Sequence, residues 1–231
     1  KGRYIEFAKG SINNISLKGL KIALDCANGA AYKVAPLIFS ELGADLVVLN
    51  SEPNGLNINQ ECGALHPEVV QAAVLGHEAD IGISLDGDAD RVIVVDEKGN
   101  ILDGDAIMCI CALDLLKEKR LSKSTLVVTQ YSNLAVDALL EKNKGMVVRV
   151  ANGDRYVIDE MRKHDYNFGG EQSGHLIFSD YNSTGDGTIA ALQLLRVMKN
   201  SKKKLSQMAG ILEKYPQVLI NIRVTEKKDL K

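Results

Sequence analysis

The largely apolar run Asp80-Ile81-Gly82-Ile83-Ser84-Leu85 leads into Asp86-Gly87-Asp88-Ala89-Asp90, and Arg91-Val92-Ile93-Val94-Val95-Asp96 leads out of it. The runs are short and rich in β-branched residues, so each reads as a buried strand. Between them three carboxylates stand at every second position, where an extended chain puts alternate residues on one face. Carboxylates this close repel one another, and all stay ionised only if a cation or hydrogen-bond donors gather round them. Hard oxygen ligands select magnesium or calcium over zinc. Asp86, Asp88, Asp90 and Glu97 also fall at positions 1, 3, 5 and 12 of an EF-hand loop, but the flanks read as strands and Arg91 stands where that loop needs glycine. An acidic hairpin turn without an ion is the plain alternative.

Strand and helix patterns alternate on both sides of this stretch. Lys21–Asp25 reads as a strand, Tyr32–Leu42 as a helix stopped by Gly43, and Asp45–Leu49 as a strand. A long aperiodic loop, Asn50–His66, then precedes a helix opened by Pro67 and ending near His77. After a turn at Glu97–Asn100, Asp103 can cap a helix running to about Glu118. Strands at Leu126–Thr129 and Met146–Val150 follow, with a helix Asn133–Leu140 between them. A helix Arg155–Lys163, strands Asn167–Gly170 and His175–Phe178 and a helix Thr188–Lys199 complete the second round. Lys202–Lys204 reads as a solvated helix start. The expected fold is two consecutive α/β domains, each a mixed, mostly parallel sheet flanked by helices. Their expected bounds are residues 1–101 and 102–215, with a connector over 216–231 in which Val218–Val224 alternates like a strand.

Length and composition suit such a fold and exclude other classes. At 231 residues, 45% hydrophobic and with net charge -2, the chain offers no basic excess for nucleic acid or an anionic membrane. Its longest apolar run, Ala106–Leu113, is too short to cross a bilayer. Cys26, Cys62, Cys109 and Cys111 lack zinc or redox spacing and read as buried free thiols, which points to the cytoplasm. The abrupt ends and the missing initiator Met suggest a piece of a longer protein.

Three further stretches carry polar chemistry. Gly169-Gly170-Glu171-Gln172-Ser173-Gly174-His175 sets a carboxylate, an amide, a hydroxyl and an imidazole among glycines. Glu171 can accept from two sugar hydroxyls, and His175 can hold a phosphate or shuttle a proton. A wide hairpin turn explains the same residues equally well. Asn152-Gly153-Asp154-Arg155 ends a strand and starts a helix, where backbone N–H groups collect anions, although a cap is the commoner reason for such a sequence. The same choice applies to Ser183–Thr188, where a cap is favoured. Asn28-Gly29 resembles a phosphate-binding turn only weakly, without the Walker lysine. Arg91 suits either phosphate or an internal ion pair with the aspartates.

Together, Asp86–Arg91 and Gly170–His175 resemble the metal loop and the sugar-binding loop of the α-D-phosphohexomutases, in the same order and separation. Asp25–Tyr32, Glu52–Gly55, Asn57–Asn59, Cys62-Gly63, Gly153–Val157 and Thr184–Gly187 are similar to the amino-sugar branch of that family. The resemblance implies a phosphoserine-mediated, magnesium-dependent interconversion of glucosamine 6-phosphate and glucosamine 1-phosphate. Mannose or glucose phosphates remain the alternative substrates, and a non-catalytic metal- and sugar-binding module the alternative function. A phosphatase is the weakest rival, because Asp25 is followed by Cys26-Ala27 and not by a second aspartate two residues on. By the resemblance, Asp86, Asp88 and Asp90 ligate Mg2+, and Arg91 and His175 are catalytic. Glu171, Ser173, His175, Gly153, Asp154 and Arg155 bind the phosphosugar. Ala89 stands where many members have glycine. The family's phosphoserine motif and its last phosphate-binding loop have no counterpart in the chain, so N- and C-terminal domains are expected partners, and the chain alone is expected to be inactive.

Overall fold

The computed structural model describes residues 2–220. The first sheet is built from β1 (Lys21–Asp25), β2 (Asp45–Leu49), β3 (Ile81–Leu85), β4 (Val92–Asp96) and the short β5 (Ile101–Leu102). Its order is β2-β1-β3-β4-β5, with β1 parallel to both β2 and β3, and β4 antiparallel to β3 and β5. The second sheet, from β6 (Thr125–Thr129), β7 (Met146–Val150), β8 (Phe168–Gly170) and β9 (Leu176–Phe178), runs β7-β6-β8-β9. There too the first three strands are parallel and the last is antiparallel. The two halves thus share one topology, and in each the third and fourth strands form a hairpin whose loop is one of the two polar motifs.

Helices cover both faces of each sheet. They are α1 (Gly2–Gly10), α2 (Val34–Glu41), α3 (Pro67–His77), α4 (Gly104–Lys117), α5 (Ala135–Lys142), α6 (Asp154–His164), α7 (Gly187–Ser201) and α8 (Leu205–Ala209). Strand residues alternate between two apolar layers. On β1, Ile22 and Leu24 enter the main core while Ala23 packs under α3 with Val70 and Val74. On β6, Leu126 and Val128 enter the same main core while Val127 packs under α6 with Val157 and Met161. That core runs from Ile83 and Val94 through Ile107, Leu192 and Leu195 to Val128 and Phe168, so both sheets share it. The helices α4 and α7 are buried over most of their circumference, as helices between two layers must be.

The expected elements are present with ends shifted by up to two residues. Two elements lie outside the sequence reading: α1, which buries Ile5 and Ala8, and the two-residue β5. β5 is too short for a period to stand out, and α1 opens on Gly2 without the Ser, Thr, Asp or Asn that marks a helix start. Residues 216–220 have no regular structure, and the rest of the alternating stretch Val218–Val224 lies outside the described residues. Among the described residues, no helix is long and apolar enough to cross a membrane. All four cysteines are free and buried.

Candidate metal and sugar site

The expected metal loop, Asp86–Arg91, closes the β3–β4 hairpin, with Leu85 paired to Val92 across its base. Strand flanks remove the EF-hand reading, and Glu97 is engaged elsewhere, accepting from the Ser206 hydroxyl. One carboxylate oxygen from each of Asp86, Asp88 and Asp90 lies within 4.8 Å of the others. Burial rises from the exposed Asp88 through the half-buried Asp90 to the buried Asp86. Burial pushes the Asp86 carboxyl up to about 6, and the nearby Asp90 and Asp88 charges add to the rise. The Arg91 N–H, donating to Asp86 Oδ1 at 3.1 Å, works against it. This all-oxygen donor set with net negative charge fits a hard divalent cation.

The loop is clamped from behind. Ala30 N–H donates to Gly87 O at 2.7 Å and Gly187 N–H to Ala89 O at 2.8 Å. A Cβ on Gly29 would lie 2.2 Å from Gly87 O, so only glycine permits this approach. The Asn28-Gly29 turn therefore backs the metal loop. Asp25, fully buried, accepts from Ala27 N–H in this turn with one oxygen and from Gly63 N–H with the other, which ties the loop before α3 into the same support.

The second hairpin loop reaches this hairpin through the backbone. Val92 N–H donates to Gly174 O at 3.0 Å, and Arg91 and His175 form an isolated antiparallel bridge. Gly174, at φ +94, would place a Cβ 2.3 Å from Val92 O. The His175 ring is 3% exposed. Its Nε2 accepts from Gly185 N–H at 3.2 Å, so Nδ1 is the donor to Asp90 Oδ2 at 3.1 Å. Arg91 Nε lies 4.0 Å from Asp86 Oδ2 and 3.9 Å from Asp90 Oδ1, beyond hydrogen-bond reach, and is buried without a partner. The internal ion pair is thus long and leaves donor capacity unspent.

Within the same loop, Glu171 accepts from Gly153 N–H through Oε1 at 3.0 Å and from the Ser173 hydroxyl through Oε2 at 3.1 Å. Glu171, Ser173 and Gly153 therefore meet, and the aspartates, Arg91 and His175 meet. Asp154 and Arg155 stand apart: both are exposed in the first turn of α6, where Arg155 pairs with Asp159. Gly153 is the cap residue of that helix, and Asp186 caps α7 by accepting from Ile189 N–H. Sequence reasoning missed Asp105 and Tyr4, and took Gly185 only as part of the Ser183–Thr188 cap, not as a partner of His175. The Tyr4 hydroxyl donates to Asp186 at 2.9 Å, a contact between residues 182 positions apart.

Two family models match the chain: "Phosphoglucomutase/phosphomannomutase, alpha/beta/alpha domain II" over residues 2–99 and domain III of the same family over 103–215. Phosphoglucosamine mutase of Geobacter metallireducens is 57% identical over 230 residues, which is 99% of this chain and 51% of that protein. The Citrifermentans bemidjiense phosphoglucosamine mutase is 53% identical over 231 residues, again 51% of its length. The chain thus spans about half the length of the curated relatives it matches. A phosphoglucomutase/phosphomannomutase family protein from Burkholderia thailandensis superposes with TM-score 0.81 at 25% identity, covering 94% of this chain and 47% of that one. The Aspergillus fumigatus N-acetylphosphoglucosamine mutase, in complex with GlcNAc-6P and magnesium, shares the fold at TM-score 0.78 and 21% identity, over 96% of this chain and 56% of that one. On these matches and on the fold, the chain belongs to the phosphoglucomutase/phosphomannomutase family and carries its α/β/α domains II and III in tandem.

Proposed function

We propose that this chain forms the metal and sugar centre of a magnesium-dependent phosphoglucosamine mutase, which interconverts glucosamine 6-phosphate and glucosamine 1-phosphate. The observation that carries the reading is the meeting of the two hairpin loops, joined by the His175–Asp90 contact and the Val92–Gly174 backbone bond. The identity to the phosphoglucosamine mutases supports the amino sugar over mannose or glucose phosphates. In this reading Asp86, Asp88 and Asp90 hold Mg2+, which supplies charge neutralisation for a transferring phosphoryl group. Arg91, with its spare donors, adds positive charge beside the phosphoryl oxygens. Glu171 and Ser173 bind sugar hydroxyls, and Gly153 N–H holds Glu171 in place for them. His175 Nε2 exchanges its Gly185 N–H for a substrate hydroxyl and takes that proton, while Asp90 keeps the Nδ1 proton in place. Arg155, exposed in the first turn of α6, serves an approaching phosphate, and Asp154 beside it accepts from a sugar hydroxyl.

The phosphoserine donor and a further phosphate-binding loop come, in this reading, from domains beyond this chain, so the chain alone is inactive. The four free, buried thiols support a cytoplasmic setting. The test is to join the chain to its flanking regions and measure conversion of glucosamine 6-phosphate. Asp88→Asn is expected to cut kcat/KM at least about a hundredfold, the scale of losing one charge-stabilising group. Unchanged turnover in that variant would remove the metal assignment. A higher kcat/KM for mannose or glucose phosphate would move the substrate within the family.

A further inference from the structure

The N-terminus of α4 holds two separate parts of the chain. On one side Gly104 N–H donates to Gln172 O at 2.9 Å, and Asp105 Oδ2 accepts from Gln172 Nε2 at 3.1 Å. A Cβ on Gly104 would lie 2.1 Å from Glu171 O, so the sugar loop rests directly on this helix end. On the other side the same Asp105 Oδ2 accepts from Asn133 N–H at 2.8 Å. The Asn133 side chain brackets Tyr215, accepting from its N–H at 3.0 Å and donating to its carbonyl at 2.9 Å. Lys214 in turn pairs with Asp103, the cap of α4.

Asp105 is 0% exposed, and its second oxygen, Oδ1, has no hydrogen-bond partner. A buried carboxylate is costly unless its bonds are worth more than its desolvation. Here those bonds tie together two segments far apart in sequence. Gln172, although it stands in a loop of ligand-type residues, points inward to this carboxylate. We propose that Asp105 is a positioning residue that fixes the sugar loop, and Glu171 in particular, relative to the Lys214–Gln217 segment that follows α8. Two bonds sharing one oxygen make a shift at Tyr215 felt at Gln172. The proposal rests on the sugar-loop reading above for its catalytic consequence, though not for its structural one.

Hydrogen exchange on the 231-residue chain tests the structural claim. The probes are the amides of Glu171 and Gly174, which bond within the loop, and that of Tyr215, which bonds to Asn133. Asp105→Ala is expected to speed exchange at all three about tenfold, the scale of losing one hydrogen bond to a charged group, with β6 and β8 unchanged. Asp105→Asn, which keeps an acceptor, is expected to restore most of the protection. Should Asp105→Ala fail to fold, Gln172→Met cuts only the loop tie, and faster exchange at Glu171 and Gly174 with Tyr215 unaffected is expected. A lowered Tm with loop exchange no faster than that of the strands would overturn the proposal. With flanking regions joined, both variants are expected to raise KM for glucosamine 6-phosphate several-fold with a smaller change in kcat and unaltered magnesium affinity. Faster loop exchange in a protein whose wild type converts no glucosamine phosphate would uphold the positioning role and remove the mutase reading.

Discussion

Asp86 is where the metal loop stores its electrostatic cost. Burial, and then the Asp90 and Asp88 charges, push its carboxyl in the folded chain from the ordinary carboxylate range up to about 6. A raised carboxyl favours the folded state below the unfolded value, and that contribution is lost as pH rises through about 6. Without a cation, Asp86→Asn is therefore expected to gain thermal stability over wild type as pH rises from 4 to 7. If Asp86 ligates magnesium as proposed, binding needs its ionised form, so magnesium affinity, followed by calorimetry, is expected to fall as pH drops through about 6. Chelation at pH 7.5 is expected to lower Tm more than at pH 5. A second cost sits at Ala89, whose φ of +62 lies in the left-handed region. Ala89→Gly is expected to be neutral or to stabilise by up to about 1 kcal/mol in urea titrations, since relief of strain there opposes only the extra unfolded entropy. Ala89→Val is expected to destabilise, because a β-branched residue fits that region worst.

At the scale of elements, the two hairpins β3–β4 and β8–β9 hold equivalent places in their sheets and present the two polar loops. Their loops are shaped by what packs behind them. Gly29→Ala would drive a methyl against Gly87 O, and the expected result is a loss of about 1–3 kcal/mol together with weaker magnesium binding, read by urea titration and calorimetry. The strands and helices themselves were legible, since β-branched runs, Pro67, Gly43 and the Asp103 cap act locally. The function of the Asn28-Gly29 turn was not: its partner, Gly87, lies 58 positions on, and no local pattern reports a contact between distant loops. The same holds for Gln172, which by residue type belongs with the ligand groups of its loop and by contact belongs to Asp105.

Across the whole molecule, α7 joins the halves. It carries Arg196 and Gln193 into the core, where Arg196 pairs with Asp114 of α4 at 2.8 Å and with Glu118, the residue that ends α4, at 3.1 Å, and Gln193 donates to Ser11 O after α1. Burial raises the Asp114 carboxyl despite Arg196, so removing the cation leaves an uncompensated charge. Arg196→Ala is expected to cost about 3 kcal/mol in chemical denaturation. Because one core spans both sheets, wild type is expected to unfold in a single transition by fluorescence and circular dichroism alike, with no separate melting of the halves.

The sequence by itself determined the alternating α/β plan, the aspartate triad and the polar loop after Phe168, because hydrophobic period, caps and carboxylate spacing are properties of neighbours along the chain. Only the tertiary structure decided that these two loops meet, that His175 donates to Asp90, that Asp25 and Gly29 serve as scaffolding, and that α7 lies in a core shared by both sheets. Each of those facts is a contact between residues tens of positions apart, set by how two sheets pack on common helices, and residue type alone carries no record of it.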